Sequence, residues 1–323
     1  MTLLLSVVVP TRDRAALLPG LFEAFARQDA PEGSFEVLVV DNGSRDGTAG
    51  LLEASAYPWL RALGEPSPGA SSARNAGVAA ARGERVLFLD DDMLPEPDVL
   101  RLHAQAHERE PVRSHLGFID FRWEAQPHPL SRYVAETSSA ELFPAAGSEP
   151  SFFQYYTAHV STPRKALLDV GGFDEKFAGY GYEDAELGYR LDRAGVPLAY
   201  LPAARVVNRE PHDPKTYWRK TEAAGEAQAR CFQLHPELTI LDRATRHFDR
   251  MGPIWSLYRR GCGLLLDTLA AAAVGPEEAL PQWVRWHYRI STSAFRHRGW
   301  SRYLRRARGE AELPPAGRPK GLR

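Results

Sequence analysis

Three apolar, β-branched runs constrain this chain more than any other feature: Leu3–Pro10, Phe35–Val40 and Arg85–Asp90. Each is continuous rather than alternating, as a strand buried on both faces of a sheet must be. Between them lie segments with helical spacing. Ala15–Gln28 places apolar side chains at Leu17, Leu18, Leu21, Phe22 and Phe25, Ala49–Ala54 is short and helical, and Ser71–Ala81 is a run of small residues with Gly83 just beyond it. Leu60–Leu63 reads as a short strand. Repeated strand–helix pairs predict an α/β fold, a mostly parallel sheet flanked by helices, whose ligands collect at the carboxyl ends of the strands. Polar, turn-forming residues follow each of the three runs.

The second half is less regular. Phe118–Glu124 and His159–Ser161 suit strands, Gln126–Pro150 reads as loop because it holds four prolines, and Arg164–Val170 reads as a helix. A loop rich in Gly and Tyr then feeds a helix that begins near Glu183. Leu198–Leu201 and Arg205–Val207 look like two short strands, and from about Pro214 the pattern is mostly helical to Ala307. The domains expected are 1–212, divided at residue 100, a helical C-terminal region over 213–309, and a flexible Pro/Gly-rich tail over 310–323.

Composition removes several classes. With 44% hydrophobic and 25% charged residues the chain is ordinary globular material, neither disordered nor fibrous. Lys+Arg 40 against Asp+Glu 41 gives a net charge of −1, so no nucleic-acid partner is expected. Cys231 and Cys262 have no metal-type spacing and fit a reducing cytoplasm. The apolar run Gly261–Val274 is broken by Asp267 and falls short of the ~20 residues that span a bilayer. A soluble, cytoplasmic protein is expected, one able to sit at the inner face of a membrane.

The chemistry concentrates in acids. Asp90, Asp91 and Asp92 end a buried strand, where three carboxylates repel unless a cation or hydrogen-bond donors compensate. In an extended segment Asp90 and Asp92 share one side, and two such oxygens suit Mg²⁺ or Mn²⁺ completed by water and phosphate. A solvated acidic turn is the plainer alternative. Asp41 follows another strand and could accept from a base N–H or a ribose hydroxyl, or form an Asx turn with Asn42 and Ser44. Arg74, in a helix of small residues, could fork onto a diphosphate or lie on the surface. Glu183 and Asp184 open a helix, where acids suit the helix dipole, and either could be a general base.

Together the segments SVVVPTRDR, VLVVDNGSRDGT, GASSARNAGVAAARGE, VLFLDDDMLPEPD and VGGFDEKFAGYGYEDAELGYRLDRAG resemble the inverting, nucleotide-sugar-dependent glycosyltransferases of family 2, in the family's order, over roughly residues 3–210. The resemblance implies a GT-A, Rossmann-like fold. It implies that Pro10, Thr11 and Arg12 lie against the nucleotide base, that Asp41 hydrogen-bonds it, and that Arg74 lies near the diphosphate. Asp90-Asp91-Asp92 match the DxD-type motif, with Asp92 the principal metal ligand and an earlier aspartate on the ribose. Asp184 matches the catalytic base, with Glu183 and the loop Gly179–Tyr182, including Tyr180 and Gly181, shaping the acceptor pocket. His212 is the candidate for a further metal contact, with Asn208 and His159 behind it, and His159 is also placed with the acceptor.

The implied reaction is single transfer from a UDP-, GDP- or dTDP-sugar to a saccharide or lipid-linked acceptor. No QxxRW-like sequence follows Asp184, which argues against a processive synthase. Arg12 departs from the family's frequent aromatic residue. Two other readings are a sugar-nucleotide-forming nucleotidyltransferase, which should show a Gly-rich phosphate loop where PTRDR stands, and an inactive binding protein of the same fold. Residues 285–323 carry eleven Arg and Lys among Trp283, Trp286, Tyr288, Trp300 and Tyr303. They suit a membrane surface, a dimer contact, or an Arg-rich face whose aromatics pack inward.

Overall fold

The computed structural model describes residues 5–31, 33–122, 128–143, 149–177, 179–209, 211–240, 254, 257, 264–274 and 279–309. They divide into two compact units. The first is Met1–Pro127, Val134–Ala178 and Glu183–Pro211; the second is His128–Tyr133, Gly179–Tyr182 and His212–Arg323.

The first unit is built on one eight-stranded sheet of order β3-β2-β1-β4-β7-β6-β8-β5. The strands are β1 (Leu5–Thr11), β2 (Phe35–Asp41), β3 (Leu60–Gly64), β4 (Arg85–Leu89), β5 (Met93–Pro95), β6 (Ser114–Phe121), β7 (His159–Pro163) and β8 (Leu198–Asn208). Strands β3, β2, β1 and β4 are parallel, as the strand–helix repeat requires. Beyond β4 the sheet is mixed, with β7 antiparallel to both β4 and β6, β8 parallel to β6, and β5 antiparallel to β8 at the edge.

Helices α1 (Leu18–Ala26), α2 (Thr48–Ala54), α3 (Ala70–Ala80) and α4 (Val99–Arg109) follow β1, β2, β3 and β5. Their apolar faces, with the sheet, form two buried clusters. One gathers Val7, Val9, Leu21, Phe25, Val37 and Leu87, the other Val8, Leu38, Val78, Phe88, Val160 and Leu187. Alternate residues of β1 enter opposite clusters, so a continuous apolar run is what a sheet covered on both faces demands.

Three elements depart from expectation. Pro129–Leu142 is a helix, α5, where proline count suggested loop. Pro129 occupies its first position, where a missing N–H costs nothing. The two short strands expected at Leu198 and Arg205 are one strand, because β8 pairs Leu201 with Gly117 and Arg205 with Phe118 and lets residues 202–204 bulge. Asp90–Asp92 is a tight turn, Met93 N–H bonding to Asp90 O at 3.1 Å, so the strict alternation expected of an extended segment does not hold there. Two further helices complete this unit, α6 (Arg164–Asp169) and α7 (Glu183–Arg193).

The second unit is helical: α8 (Pro214–Leu234), α9 (Leu264–Ala273) and α10 (Gln282–Gly309). Helices α8 and α10 approach closely because Gly225 faces the backbone of Arg296 and Gly299 the backbone of Glu222, with no room for a Cβ at either. Around that crossing Trp218 stacks on Phe295 at 5.0 Å, and Arg302 and Arg306 pair with Glu222 and Glu226. Tyr288 is buried. Much of the basic, aromatic C-terminal segment therefore packs inward. The tail expected over 310–323 lies outside the described residues.

Candidate active site

Parallel pairing brings the loops after β1 and β2 together. Thr11 and Asp41 are register partners at the strand ends. Asn42 N–H donates to Thr11 O, Asp13 N–H to Ser44 Oγ at 2.8 Å, and Arg45 N–H to Asp13 Oδ1 at 2.6 Å. Asp13 accepts a left-handed backbone, φ 54°, to make these bonds. Asp41 forms the Asx turn, its Oδ1 accepting from Ser44 N–H at 3.0 Å. Asn42, which the sequence offered only as a turn residue, is buried and holds the next loop through Glu65 O, Ser67 O and Gly69 N–H. Pro10 is the penultimate residue of β1, and Arg12 is exposed beside Asp13.

The acidic turn is anchored on both flanks. Thr11 Oγ1 donates to Asp91 Oδ2 at 2.8 Å, and Arg14 Nε lies 4.0 Å from Asp91 Oδ1. Asp90 Oδ1 receives Arg74 Nη2 at 3.0 Å, and Arg74 Nη1 reaches Glu183 Oε1 at 3.2 Å. Arg74 is only 5% exposed and packs over the Phe173 ring. The guanidinium is not a surface group: it ties the acidic turn to α7. The small side chains of α3 let it lie that deep. Asn75 beside it clamps the 172–175 loop, accepting from Phe173 N–H at 2.8 Å and donating to Phe173 O at 3.0 Å.

Glu183 is buried, and its Oε2 meets no hydrogen-bond donor. Asp184, next to it, keeps some accessible surface while packed round by protein. Burial, followed by the Glu183 carboxylate, pushes the Asp184 carboxyl up to about 7, against the pull of Arg74. A carboxyl that exchanges its proton near neutral pH can act as a general base.

Among the described residues no three His, Cys, Asp or Glu side chains are arranged to enclose a metal ion. The donors present still suit a hard cation. Asp90 and Asp91 are turned to Arg74 and Thr11, and Asp92 is the third carboxylate of the turn, half-buried. Mg²⁺ or Mn²⁺ needs only one or two protein carboxylates when phosphate and water supply the rest.

His159 corrects the sequence reading. It is fully buried within β7, so it offers nothing to an acceptor or an ion at the surface. Its ring fills the space left by Gly117 and joins a chain of buried imidazoles. His159 Nδ1 lies 3.2 Å from Phe118 O, His159 Nε2 lies 3.1 Å from His103 Nε2, and Ser161 Oγ lies 2.8 Å from both His103 Nδ1 and His107 Nε2. A carbonyl only accepts, so His159 carries its proton on Nδ1, His103 on Nε2, Ser161 donates to His103, and His107 donates to Ser161. Every hydrogen along this chain is assigned with all three rings neutral.

The remaining candidates belong to the second unit. His212 is tied by its backbone to Ser131, N–H to Oγ at 2.8 Å, and burial lowers its imidazole to about 4. Gly181 and Tyr182 both have positive φ, 89° and 64°. Gly181 lies against Ala224, Tyr182 meets Phe232 edge-on, and Lys220 sits 4.9 Å over the Tyr180 ring.

Solved structures share this architecture. A mannosyltransferase from Pyrobaculum calidifontis, PcManGT, in complex with GDP-Man and Mn²⁺, matches 93% of this chain and 86% of its own with a TM-score of 0.59 at 20% identity. S. aureus TarS residues 1–349 in complex with UDP match 94% of this chain and 91% of theirs with a TM-score of 0.54 at 17% identity. The fold is that of the GT-A class. Residues 6–173 match the model of glycosyl transferase family 2, and the chain belongs to that family. Residues 149–213 also match a model described as the N-terminal domain of galactosyltransferase. Among curated relatives, a validoxylamine A glucosyltransferase of Streptomyces hygroscopicus is 34% identical over 60% of this chain and 53% of its own, and a pre-mycofactocin glycosyltransferase of Mycobacterium tuberculosis is 30% identical over 80% of this chain and 53% of its own. The chain spans about half the length of these relatives.

Proposed function

We propose that this chain is an inverting, non-processive glycosyltransferase that moves a sugar from a nucleoside-diphosphate donor to an acceptor hydroxyl, with Asp184 as general base. One observation carries the reading: a carboxyl brought to about 7 stands beside the Arg74–Asp90–Glu183 network at the carboxyl edge of a parallel sheet. A base poised there takes the hydroxyl proton as the oxygen attacks the anomeric carbon. Attack from the face opposite the departing diphosphate inverts the centre, through charge resembling an oxocarbenium ion.

Asp41 and Thr11, with Pro10 and Arg12, receive the nucleoside, and Asp90 and Asp91 face its ribose. Arg74 fixes two carboxylates and lies near the diphosphate. Asp92 would hold Mg²⁺ or Mn²⁺. Such an ion, when bound, neutralises charge on the leaving diphosphate. A saccharide or lipid-linked acceptor meets Tyr180, Gly181 and Tyr182. Residues 1–212 form the catalytic domain. The complexes of PcManGT with GDP-Man and of TarS with UDP-GlcNAc support a nucleotide-sugar donor.

A thermal-shift screen of UDP-, GDP-, dTDP- and CDP-sugars with Mn²⁺ tests the donor, because a ligand that binds only the native state raises the melting temperature. Product analysis with the stabilising donor then tests the reaction. The proposal fails if no nucleotide sugar stabilises the protein, or if Asp184→Asn forms product at the unmodified rate.

A further inference from the structure

Exposed apolar side chains are not spread evenly over this protein. Among the described residues eleven large ones are exposed, and six of them fall between Ile254 and Trp286. Single exposed apolar residues need no explanation, whereas a contiguous group does. Four of the six lie on α9 and the first turns of α10. Leu265 and Leu269, one helical turn apart, are 63% and 47% exposed, and Trp283 and Trp286 are 42% and 54% exposed. Leu269 and Trp283 line the same groove, of about 470 Å³, which joins the two pairs into one patch.

The charge on α10 has one sign. Helix α10 carries eight arginines and no carboxylate in 28 residues, on a chain whose net charge is −1. Arg298, Arg302 and Arg306, in its second half, face Glu222 and Glu226 of α8. In its first half Arg285 and Arg289 are exposed on either side of Trp286. The one acid of α9, Asp267, is turned to His287, 2.7 Å from Nε2. Tryptophan and leucine to enter an interface, with arginine beside them to meet phosphate, match the boundary of an anionic bilayer.

We propose that this patch docks the helical unit on a membrane surface of anionic phospholipid. Two alternatives fit less well. A second copy paired about a two-fold axis would set one arginine-bearing patch against another, with no carboxylate of α10 to meet it. Among the described residues no helix is long and apolar enough to cross a membrane, so the contact lies on the surface.

The test uses the full chain and vesicles of phosphatidylcholine alone or with phosphatidylglycerol at about 0.1 M salt, where surface charge is screened within ~10 Å. Co-sedimentation is expected with the anionic vesicles and should weaken as salt rises. Arg285→Gln with Arg289→Gln should weaken it roughly 25-fold, at about fivefold for each arginine near the surface. Trp283→Ala with Trp286→Ala should weaken it by roughly tenfold or more. Lipids brominated in their acyl chains should quench the unmodified protein's fluorescence, and quench a folded Trp283→Phe, Trp286→Phe protein less. Equal binding to neutral vesicles, insensitivity to both pairs of substitutions, or self-association without lipid that the tryptophan substitutions abolish would each overturn the proposal.

Discussion

Arg74 Nη1 lies 3.2 Å from Glu183 Oε1, joining α3 to the start of α7 across 109 residues of chain. The other arm of the guanidinium holds Asp90, so one buried cation sets the acidic turn and the acid pair of α7 in register. Two carboxylates on successive residues of α7 can be tolerated there because Arg74 compensates them.

Arg74→Met should therefore be costly. It leaves Glu183 buried without a counter-ion, a change that costs about 3–5 kcal/mol in comparable pairs. Arg74→Lys keeps the charge but not the fork, and should fall between the two. Urea denaturation of the three proteins measures this. A loss below about 1 kcal/mol for Arg74→Met would mean that the network does not support the fold.

Asp184 makes a prediction about pH. Its folded value, about 7, is above that of an ordinary carboxyl, so the group is protonated in mild acid and ionised in mild base. As a base it works only when ionised. With a supplied nucleotide-sugar donor and acceptor, kcat should rise about tenfold per pH unit below 7 and level off above it. Asp184→Asn should lower kcat by roughly 10²–10⁴-fold while leaving donor binding near its original strength. The sign for stability is the reverse. A raised carboxyl contributes stability below its unfolded value that is lost as pH rises through 7, so Asp184→Asn should melt higher than the unmodified protein at pH 8. Thermal melts at pH 5 and pH 8 read this directly.

A third prediction concerns how α7 is seated. Gly188 faces the segment 152–155 so closely that a Cβ would stand 2.5 Å from Tyr155 Cβ and 2.7 Å from Phe152 O. Both obstacles are near the main chain, and the Tyr155 hydroxyl is fixed to Thr162 at 2.7 Å, so neither can swing aside. Gly188→Ala should destabilise by about 1–3 kcal/mol, as overpacking does, and should lower activity by displacing Asp184. Chemical denaturation and kcat should move together. Full activity in a destabilised variant would separate the seating of α7 from the site.

How much of this was legible in the sequence follows from the range over which each feature is fixed. β1, β2 and β4 are continuous apolar runs bounded by turns, and their ends, expected at Pro10, Val40 and Asp90 and found one residue away at Thr11, Asp41 and Leu89, followed from local pattern. β5 is three residues long and exists only because β8 passes beside it, so no local signal marks it. The bulge of β8 likewise comes from its register with Gly117 and Phe118. Arg74 stood out as a lone cation in a helix of small residues, but its partner Glu183 is set by the tertiary fold, and the choice between solvent and protein was open. The imidazole chain left one trace, His103 and His107 four apart on an amphipathic helix. What completes it, His159 and Ser161 at alternate positions of β7, becomes visible only when the helix is laid on the sheet.

That imidazole chain makes the last prediction, loss of stability in acid. His103, His107 and His159 are buried, and burial depresses all three imidazoles, His107 to about 3 and His159 to about 4, with His103 well below its ordinary value. The chain His159–His103–Ser161–His107 has every hydrogen assigned with the rings neutral, so a proton added to His103 or His159 must break a bond already made. His107 Nδ1 is buried and meets no donor, which makes it the least disruptive place for a first proton. Depressed groups contribute stability that is complete above their unfolded value, near 6.5, and is lost as pH falls toward their folded values, because the unfolded chain then binds more protons. These three histidines should thus contribute a decline in stability from about pH 6.5 to pH 4, with up to three protons, or about 4 kcal/mol per pH unit, added to the slope where they titrate only in the unfolded state. His107→Leu removes one donor and one titrating group, so its slope should be shallower by one proton even if the protein is less stable at pH 7. Urea midpoints measured at half-unit steps decide the matter. Equal slopes for the two proteins would show that His107 is protonated in the folded state, and that the neutral chain is not the form the protein adopts.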